Sequence, residues 1–153
     1  MRVTILTIGK AARGPEQELW STYIRRLPWP VEIREFELKK QPATSAERKK
    51  LEGEKLLQVI SSTATVVALD ERGKNLASRA FATKIDNWRQ EGAGDLIFII
   101  GGADGLSDAV RSRANLLLSF GSLTWPHMLV RVMLCEQIYR AWSICSGHPY
   151  HRD

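Results

Sequence analysis

The sequence predicts an α/β fold in which a parallel sheet carries helices on both faces. Residues 65–69, 96–100 and 116–120 are three unbroken apolar runs, which are typical of strands that are covered on both faces. Helical patterns separate these runs, so strands and helices alternate as repeated βαβ units. With 153 residues, 44% of them hydrophobic and 25% charged, the chain has the size and composition of one domain over residues 1–153.

The N-terminal part supplies two further strands and the first helix. Residues 3–8 form an apolar strand that Gly9 closes. A periodic helix follows from Pro15 until Pro28 stops it, because proline suits the first turn of a helix and breaks its interior. Residues 31–38 alternate between apolar and polar side chains, as a less buried or edge strand does.

Four helices are predicted in the rest of the chain. Thr44 and Glu47 form a capping box that begins a helix through Ile60. Its charge run at residues 48–50 is most simply the solvated face of that helix. The remaining helical patterns cover residues 78–90, 107–113 and 127–146.

The helix predicted at residues 127–146 is apolar almost all round, and one face of a sheet cannot cover it. A symmetric partner would supply the second covering surface, so we expect a homodimer. Glu136 and Arg140 are spaced i, i+4 and can pair on the helix surface. Arg131 and Arg140 can alternatively contact phosphate, and the spacing leaves both options open.

The net charge is +5, because 22 Lys and Arg residues stand against 17 Asp and Glu residues. Residues 1–60 hold 12 basic and 8 acidic residues, so most of the excess lies in the first half. A basic surface attracts phosphate backbones. An excess of this size is also compatible with solubility alone.

The chain shows no membrane or secretion signal. No run approaches 18 apolar residues, and the N-terminus enters a strand pattern directly, so we expect a cytoplasmic protein without a membrane span. Cys135 and Cys145 lie ten positions apart on one predicted helix, about 15 Å along its axis. That separation is too long for a disulfide, and we expect two reduced core cysteines.

Each of the three buried strands is followed by a glycine-bearing loop, where ligands of open α/β sheets bind. These loops are residues 70–74, 101–105 and 121–124. Gly101, Gly102 and Gly105 differ from the nicotinamide fingerprint in spacing and in place along the chain. They are compatible with an adenine-containing ligand held by backbone groups, or with a turn that only reverses the chain.

The C-terminus concentrates chemically useful side chains. His148, Tyr150, His151 and Arg152 are residue types that transfer protons and contact nucleic acid bases or phosphates. No cysteine or carboxylate cluster joins these histidines or His127 in a four-ligand site, so we expect no metal. No Gly-x-Ser-x-Gly, Walker or His-Glu-x-x-His pattern supports a hydrolase or an NTPase.

Five motifs follow one another along the chain. They are Leu-Asp-Glu-Arg-Gly-Lys at 69–74, Phe-Ile-Ile-Gly-Gly-Ala-Asp-Gly at 98–105, Leu-Thr-Trp-Pro-His-Met-Leu-Val-Arg at 123–131, Glu-Gln-Ile-Tyr-Arg-Ala-Trp at 136–142 and His-Pro-Tyr-His at 148–151. In this order they closely resemble the RlmH family, small bacterial SPOUT-class methyltransferases that methylate N3 of a pseudouridine in 23S ribosomal RNA of the large subunit. The resemblance spans the full chain length.

The resemblance implies a SPOUT fold whose C-terminal part is tied in a trefoil knot, and it implies a homodimer. It further implies S-adenosylmethionine as methyl donor, no metal, and 23S ribosomal RNA within the ribosome as substrate. In that family the donor lies in the knot, against the loops described above. Carried over by position, the donor-binding residues are Leu69, Gly101, Gly102, Phe120, Gly121, Ser122, Leu123, Thr124 and Trp125.

The acceptor nitrogen carries a proton, so methyl transfer needs a base or an environment that favours its loss. We expect His151 to contact the base or remove this proton, and Tyr150 to stack on the base or hydrogen-bond to it. Arg140, His148 and Arg152 are expected to grip phosphate or orient the tail, which acts with the pocket of the opposite subunit. Two alternatives stay open: an RNA-binding module without activity, and a small α/β enzyme that uses another adenine nucleotide.

Overall fold

The structure, a computed structural model that describes residues 1–152, is built on a five-stranded sheet. Its strands are β1 (Arg2–Ile8), β2 (Val31–Phe36), β3 (Thr65–Asn75), β4 (Asp95–Ile100) and β5 (Leu116–Ser119). All neighbouring strands run parallel, in the order β2-β1-β4-β3-β5. Parallel neighbours need long crossover connections, which is why helices alternate with the strands. The α/β prediction is confirmed.

Helices cover both faces of this sheet, as the sequence predicts. They are α1 (Pro15–Arg26), α2 (Ser45–Leu57), α3 (Ser78–Gln90), α4 (Asp108–Arg113) and α5 (His127–Ser146). On one face, α1, α3 and α5 bury side chains such as Trp20, Phe81 and Ile138 against the sheet. On the other face, α2 and α4 bury Leu56 and Val110. Burial on both faces explains the unbroken apolar runs of the central strands.

Strand β3 is longer than expected, and its second half corrects the prediction of a free loop at residues 70–74. Leu69 and Lys74 both pair with Leu118 of β5, so the residues between them bulge out of the ladder. The Oδ1 atom of Asp70 accepts the Arg72 N–H at 2.9 Å and holds the turn of the bulge. The polar sequence hides this extension, because hydrophobic periodicity ends at Leu69.

Capping features mark the start of α2 and the end of α5. The Thr44 hydroxyl accepts the Glu47 N–H at 3.2 Å, which confirms the predicted start of α2, although the helix ends at Leu57 rather than Ile60. Gly147 ends α5 in the left-handed conformation, with φ 69°.

Within residues 1–152, no helix is both long enough and apolar enough to cross a membrane.

Much of the second cover for α5 comes from the chain itself, because α1 and α3 flank the helix on the sheet. Cys135 is buried in this core, whereas Cys145 is exposed, so the expectation of two core cysteines is wrong for Cys145. Some apolar side chains at the N-terminal end of α5 stay exposed. Leu129 is 41% exposed there, and Leu123 and Trp125 of the preceding segment are 71% and 37% exposed.

Candidate functional site

The carboxyl ends of β3, β4 and β5 enclose a cavity of about 460 Å³, a volume ordinary for small-molecule sites. These three strands are neighbours in the sheet, so the segments that follow them meet at one edge. The cavity is lined mainly by the bulge of β3, residues 100–106 after β4 and residues 118–125 at the end of β5.

The structure brings together nearly all the residues that the resemblance assigns to the donor. Eight of them line the cavity, namely Leu69, Gly101, Gly102, Phe120, Gly121, Leu123, Thr124 and Trp125. Ser122 is exposed and does not line it.

The loop after β4 is a tight turn that also forms a cavity wall. Gly105 adopts φ +84°, which favours glycine, and its N–H donates to the Gly102 carbonyl at 3.0 Å. Gly101 is buried against Leu106, whose Cδ2 atom would lie 2.7 Å from an added Cβ at that position. The two sequence interpretations of these glycines are therefore compatible, since the turn reverses the chain and presents its backbone to the cavity.

The segment after β5 is held in shape by its own hydrogen bonds. The Ser119 hydroxyl donates to the Gly121 carbonyl at 3.1 Å and accepts the Gly121 N–H at 3.2 Å. Gly121 has φ +110°, a conformation that side chains disfavour. The Trp125 indole N–H then donates to the Phe120 carbonyl at 3.3 Å and closes the segment on itself.

An ion pair that sequence reasoning did not identify lies in the cavity wall. Arg111 Nε donates to Asp70 Oδ2 at 2.6 Å, and Arg111 Nη1 donates to Asp108 at 3.2 Å. Burial alone would raise the pKa of Asp70, but hydrogen bonds from Arg72 N–H and Arg111 hold that pKa below its usual value. The available signal was a carboxylate that directly follows a buried strand.

Replacing Asp70 by asparagine is expected to lower the free energy of unfolding by roughly 1–2 kcal/mol at pH 7, because Arg111 loses its charged acceptor. The folded-state pKa of Asp70 is lowered, so its stabilisation is present above the unfolded-state pKa and is lost as pH falls through the folded-state pKa. The free energies of unfolding of the wild type and of Asp70→Asn, measured in urea, should therefore differ less at pH 3 than at pH 7. The exposed neighbour substitution Glu71→Gln is the control, and an equal Asp70→Asn effect at both pH values would contradict the assignment.

His127 lines the same cavity from the first turn of α5. Burial, with a smaller contribution from the positive charge of Arg131, lowers the pKa of its imidazole. His127 therefore favours its neutral form at neutral pH. Among residues 1–152, no group of three or more His, Cys, Asp or Glu side chains is placed to hold a metal ion.

Arg131 is a structural residue, and the option that it contacts phosphate is wrong. Its side chain is 2% exposed, Nη1 donates to Glu35 Oε1 at 2.6 Å, and Nη2 donates to the Gly9 carbonyl at 2.7 Å. Glu35 also accepts the Ala11 N–H at 2.7 Å. Arg131 thus ties the start of α5 to the carboxyl ends of β1 and β2.

The C-terminal tail folds back on α5 and does not line the first cavity of its own chain. The Tyr150 hydroxyl donates to Glu136 Oε1 at 3.0 Å, and its ring lies 4.7 Å from that of Tyr139. Burial, followed by hydrogen bonds with Tyr23 and Glu136, raises the pKa of Tyr150. The sequence placed the tail at the acceptor, and the described contacts place it against α5.

Glu136 and Arg140 form the i, i+4 pair that their spacing allowed, with Arg140 Nε donating to Glu136 Oε1 at 2.9 Å. Arg140 Nη1 also lies 3.3 Å from His151 Nδ1, so the guanidinium joins the helix to the tail. The His148 ring packs 5.4 Å from the Trp142 ring, and Arg152 is exposed.

A second cavity, of about 350 Å³, adjoins the first. The two share Leu118, Ser119 and Phe120, so the end of β5 forms the wall between them. The lining of the second cavity includes Glu136 and Gln137. The Gln137 amide is fixed there, because its oxygen accepts from the Ser78 hydroxyl at 3.0 Å and its nitrogen donates to Glu136 at 2.7 Å.

Comparisons with known proteins agree with this geometry. A family model described as predicted SPOUT methyltransferase matches residues 1–151. Three relatives carry the name ribosomal RNA large subunit methyltransferase H. The protein of Rhodospirillum centenum is 52% identical over 152 residues, that of Paramagnetospirillum magneticum 53% over 152, and that of Bradyrhizobium diazoefficiens 46% over 159. Each match covers 99% of this chain and 99% of the relative.

Proposed function

Because the chain belongs to the RlmH family of SPOUT methyltransferases, we propose that it transfers a methyl group from S-adenosylmethionine to 23S ribosomal RNA of the large ribosomal subunit. The observation that carries this proposal is the cavity at the carboxyl edge of the sheet, which gathers the family's donor-binding positions. Residues 1–153 act as one methyltransferase unit, and its C-terminal part carries the trefoil knot of the family.

The residues of this cavity fit the donor. The cavity of about 460 Å³ accommodates a nucleoside with an amino acid substituent, and its glycine-rich walls let an adenine approach backbone N–H and C=O groups. When bound, S-adenosylmethionine supplies a methyl group that is already activated, so the protein mainly orients the reactants and excludes water.

The acceptor is N3 of a pseudouridine in this proposal, and the second cavity is its entrance. Support comes from Phe120, which lines both cavities, and from the polar side chains of Glu136 and Gln137 in the second cavity. A flipped base in the second cavity would therefore lie beside the donor, and the tail that acts on it belongs to the opposite subunit. His151 takes the N3 proton or contacts the base there, and Tyr150 stacks on the base or hydrogen-bonds to it.

The active form is a homodimer. Leu123, Trp125 and Leu129 form an exposed apolar group beside the donor cavity, and a second subunit that covers it would remove this area from water. The tail of one subunit then serves the pocket of the other, while Arg140, His148 and Arg152 grip RNA phosphate or orient the tail. Sedimentation should show a dimer at micromolar concentration.

The protein works in the cytoplasm, where ribosomes are available.

The decisive experiment is methyl transfer to ribosomal particles from a strain that lacks the modification. Free RNA, large subunits and assembled ribosomes are offered separately with radioactive S-adenosylmethionine, and mass spectrometry of the nucleosides identifies the product. We expect 3-methylpseudouridine in 23S ribosomal RNA. Calorimetry with S-adenosylmethionine, its demethylated product and NAD provides the control. Donor binding without methyl incorporation would indicate an inactive RNA-binding module, and preference for NAD would indicate another adenine-nucleotide enzyme.

A further inference from the structure

Glu52 is a buried acid that the proposed reaction does not use. It lies on α2 with 6% exposure, and it does not line the donor cavity. Its carboxylate instead packs behind the loop after β4. A Cβ added to Gly102 would lie 2.6 Å from Glu52 Oε2 and 3.0 Å from Glu52 Oε1, so the carboxylate is in direct contact with the loop backbone.

The burial of this carboxylate has a cost. Among the described residues, Glu52 Oε2 is buried without a hydrogen-bond partner. Burial, and secondarily the negative charge of Asp104, raises the pKa of Glu52, while Arg48 lowers it. A buried acid of this kind is usually replaced by an apolar residue unless its shape or polarity has a use. The position of Glu52 indicates such a use, since its carboxylate packs against Gly102, which lines the first cavity.

Two further contacts show that α2 supports this loop along its length. Arg48 Nη1 donates to Asp104 Oδ2 at 2.6 Å, which fixes the middle of the loop. A Cβ on Gly53 would lie 2.3 Å from the Ser107 hydroxyl, so the helix touches the residue that begins α4. Of these three contacts, the one made by Glu52 meets the loop at Gly102, which lines the first cavity.

We propose that Glu52 is a positioning residue, which holds the backbone at Gly102 in the shape that binds the methyl donor. This inference rests on the proposed function, since it takes S-adenosylmethionine as the ligand. Glu52 acts through the loop and has no contact with the reacting atoms. Its loss should therefore weaken donor binding and raise the KM for the donor, with little change in kcat.

A double-mutant cycle tests the contact. Glu52→Ala removes the support and Gly102→Ala pushes a methyl group into the carboxylate, and each should raise the Kd for S-adenosylmethionine about tenfold. In the double variant the new methyl group occupies the vacated space. Its Kd should therefore lie within about threefold of the wild-type value instead of rising about a hundredfold. Glu52→Gln retains the shape and should bind the donor like wild type, as should Glu54→Ala, an exposed control on the same helix.

Amide hydrogen exchange of residues 101–105 gives a readout that does not depend on the donor. Glu52→Ala should speed this exchange while the melting temperature stays close to that of Glu54→Ala, and the double variant should restore protection. The positioning role would be overturned if the two substitutions raised the Kd for S-adenosylmethionine multiplicatively in the double variant. It would also be overturned if amide exchange of residues 101–105 were unchanged in Glu52→Ala. A wild-type protein that binds no S-adenosylmethionine would instead refute the proposed function, and the exchange measurement would still decide whether Glu52 holds the loop.

Discussion

Replacing His151 by alanine should lower the rate of methyl transfer about 100-fold or more and leave donor binding unchanged, since a positioned acid or base contributes that much. The structure supports the separation of the two effects. No tail residue among 148–152 lines the donor cavity, and Arg140 lies 3.3 Å from the His151 ring. The measurements are single-turnover methylation of undermodified ribosomes and calorimetry with S-adenosylmethionine.

Two comparisons make the His151 prediction specific. The dependence of the rate on pH should change in His151→Ala, because the proposed proton acceptor is removed. Tyr150→Phe keeps the ring against Tyr139 and loses the hydrogen bonds of the hydroxyl with Glu136 and Tyr23, so its rate should fall less. If His151→Ala methylates ribosomes at the wild-type rate, His151 does not belong to the site.

Mixed dimers test whether the tail serves the partner's pocket. His151→Ala has an intact proposed donor cavity, and Gly101→Val has an intact tail but a distorted cavity wall, because an added side chain meets Leu106. Each variant alone should be inactive. A purified dimer with one subunit of each type would rebuild one of the two composite sites and recover roughly half the wild-type rate. A mixed dimer without activity would show that tail and pocket act within one subunit.

The fold could be predicted because its strongest signal is burial on both faces of the sheet. The apolar runs mark the central strands, and the segments after them meet at one edge because parallel strands share their direction. This is why the sequence alone predicts that the loops after these strands meet, and in the structure they line one cavity. The second half of β3 was missed, because its polar residues form a bulge whose pairing depends on β5.

Side-chain partners were harder to predict than elements. Arg131 and Arg140 lie on one helix, yet only Arg131 is buried, and it bonds to Glu35 and to the Gly9 carbonyl. Those partners come from β1 and β2, far away in sequence. Glu52 is a similar case, since nothing in its helix indicates the contact with Gly102. Contacts between distant elements leave no local pattern.

Gly73 should be among the least replaceable residues of the chain. A Cβ at this position would lie 2.7 Å from the main-chain atoms of Leu117 and Leu118, and main chain cannot turn aside as a flexible side chain can. Gly73→Ala must therefore push β5 away from the second half of β3. We expect the free energy of unfolding to fall by about 3 kcal/mol, measured by urea unfolding.

The same displacement should damage the proposed site, because β5 leads directly into the segment that lines the first cavity. Leu118 and Ser119 line both cavities, and Ser119 holds Gly121 through two hydrogen bonds. Donor affinity should therefore fall together with stability in Gly73→Ala. Gly94→Ala is the matched control, since no atom lies within 4 Å of its added Cβ, and its stability should change by no more than about 0.5 kcal/mol. If Gly73→Ala unfolded like Gly94→Ala, β5 could not be packed on Gly73, and the bulge would not set the floor of the cavity.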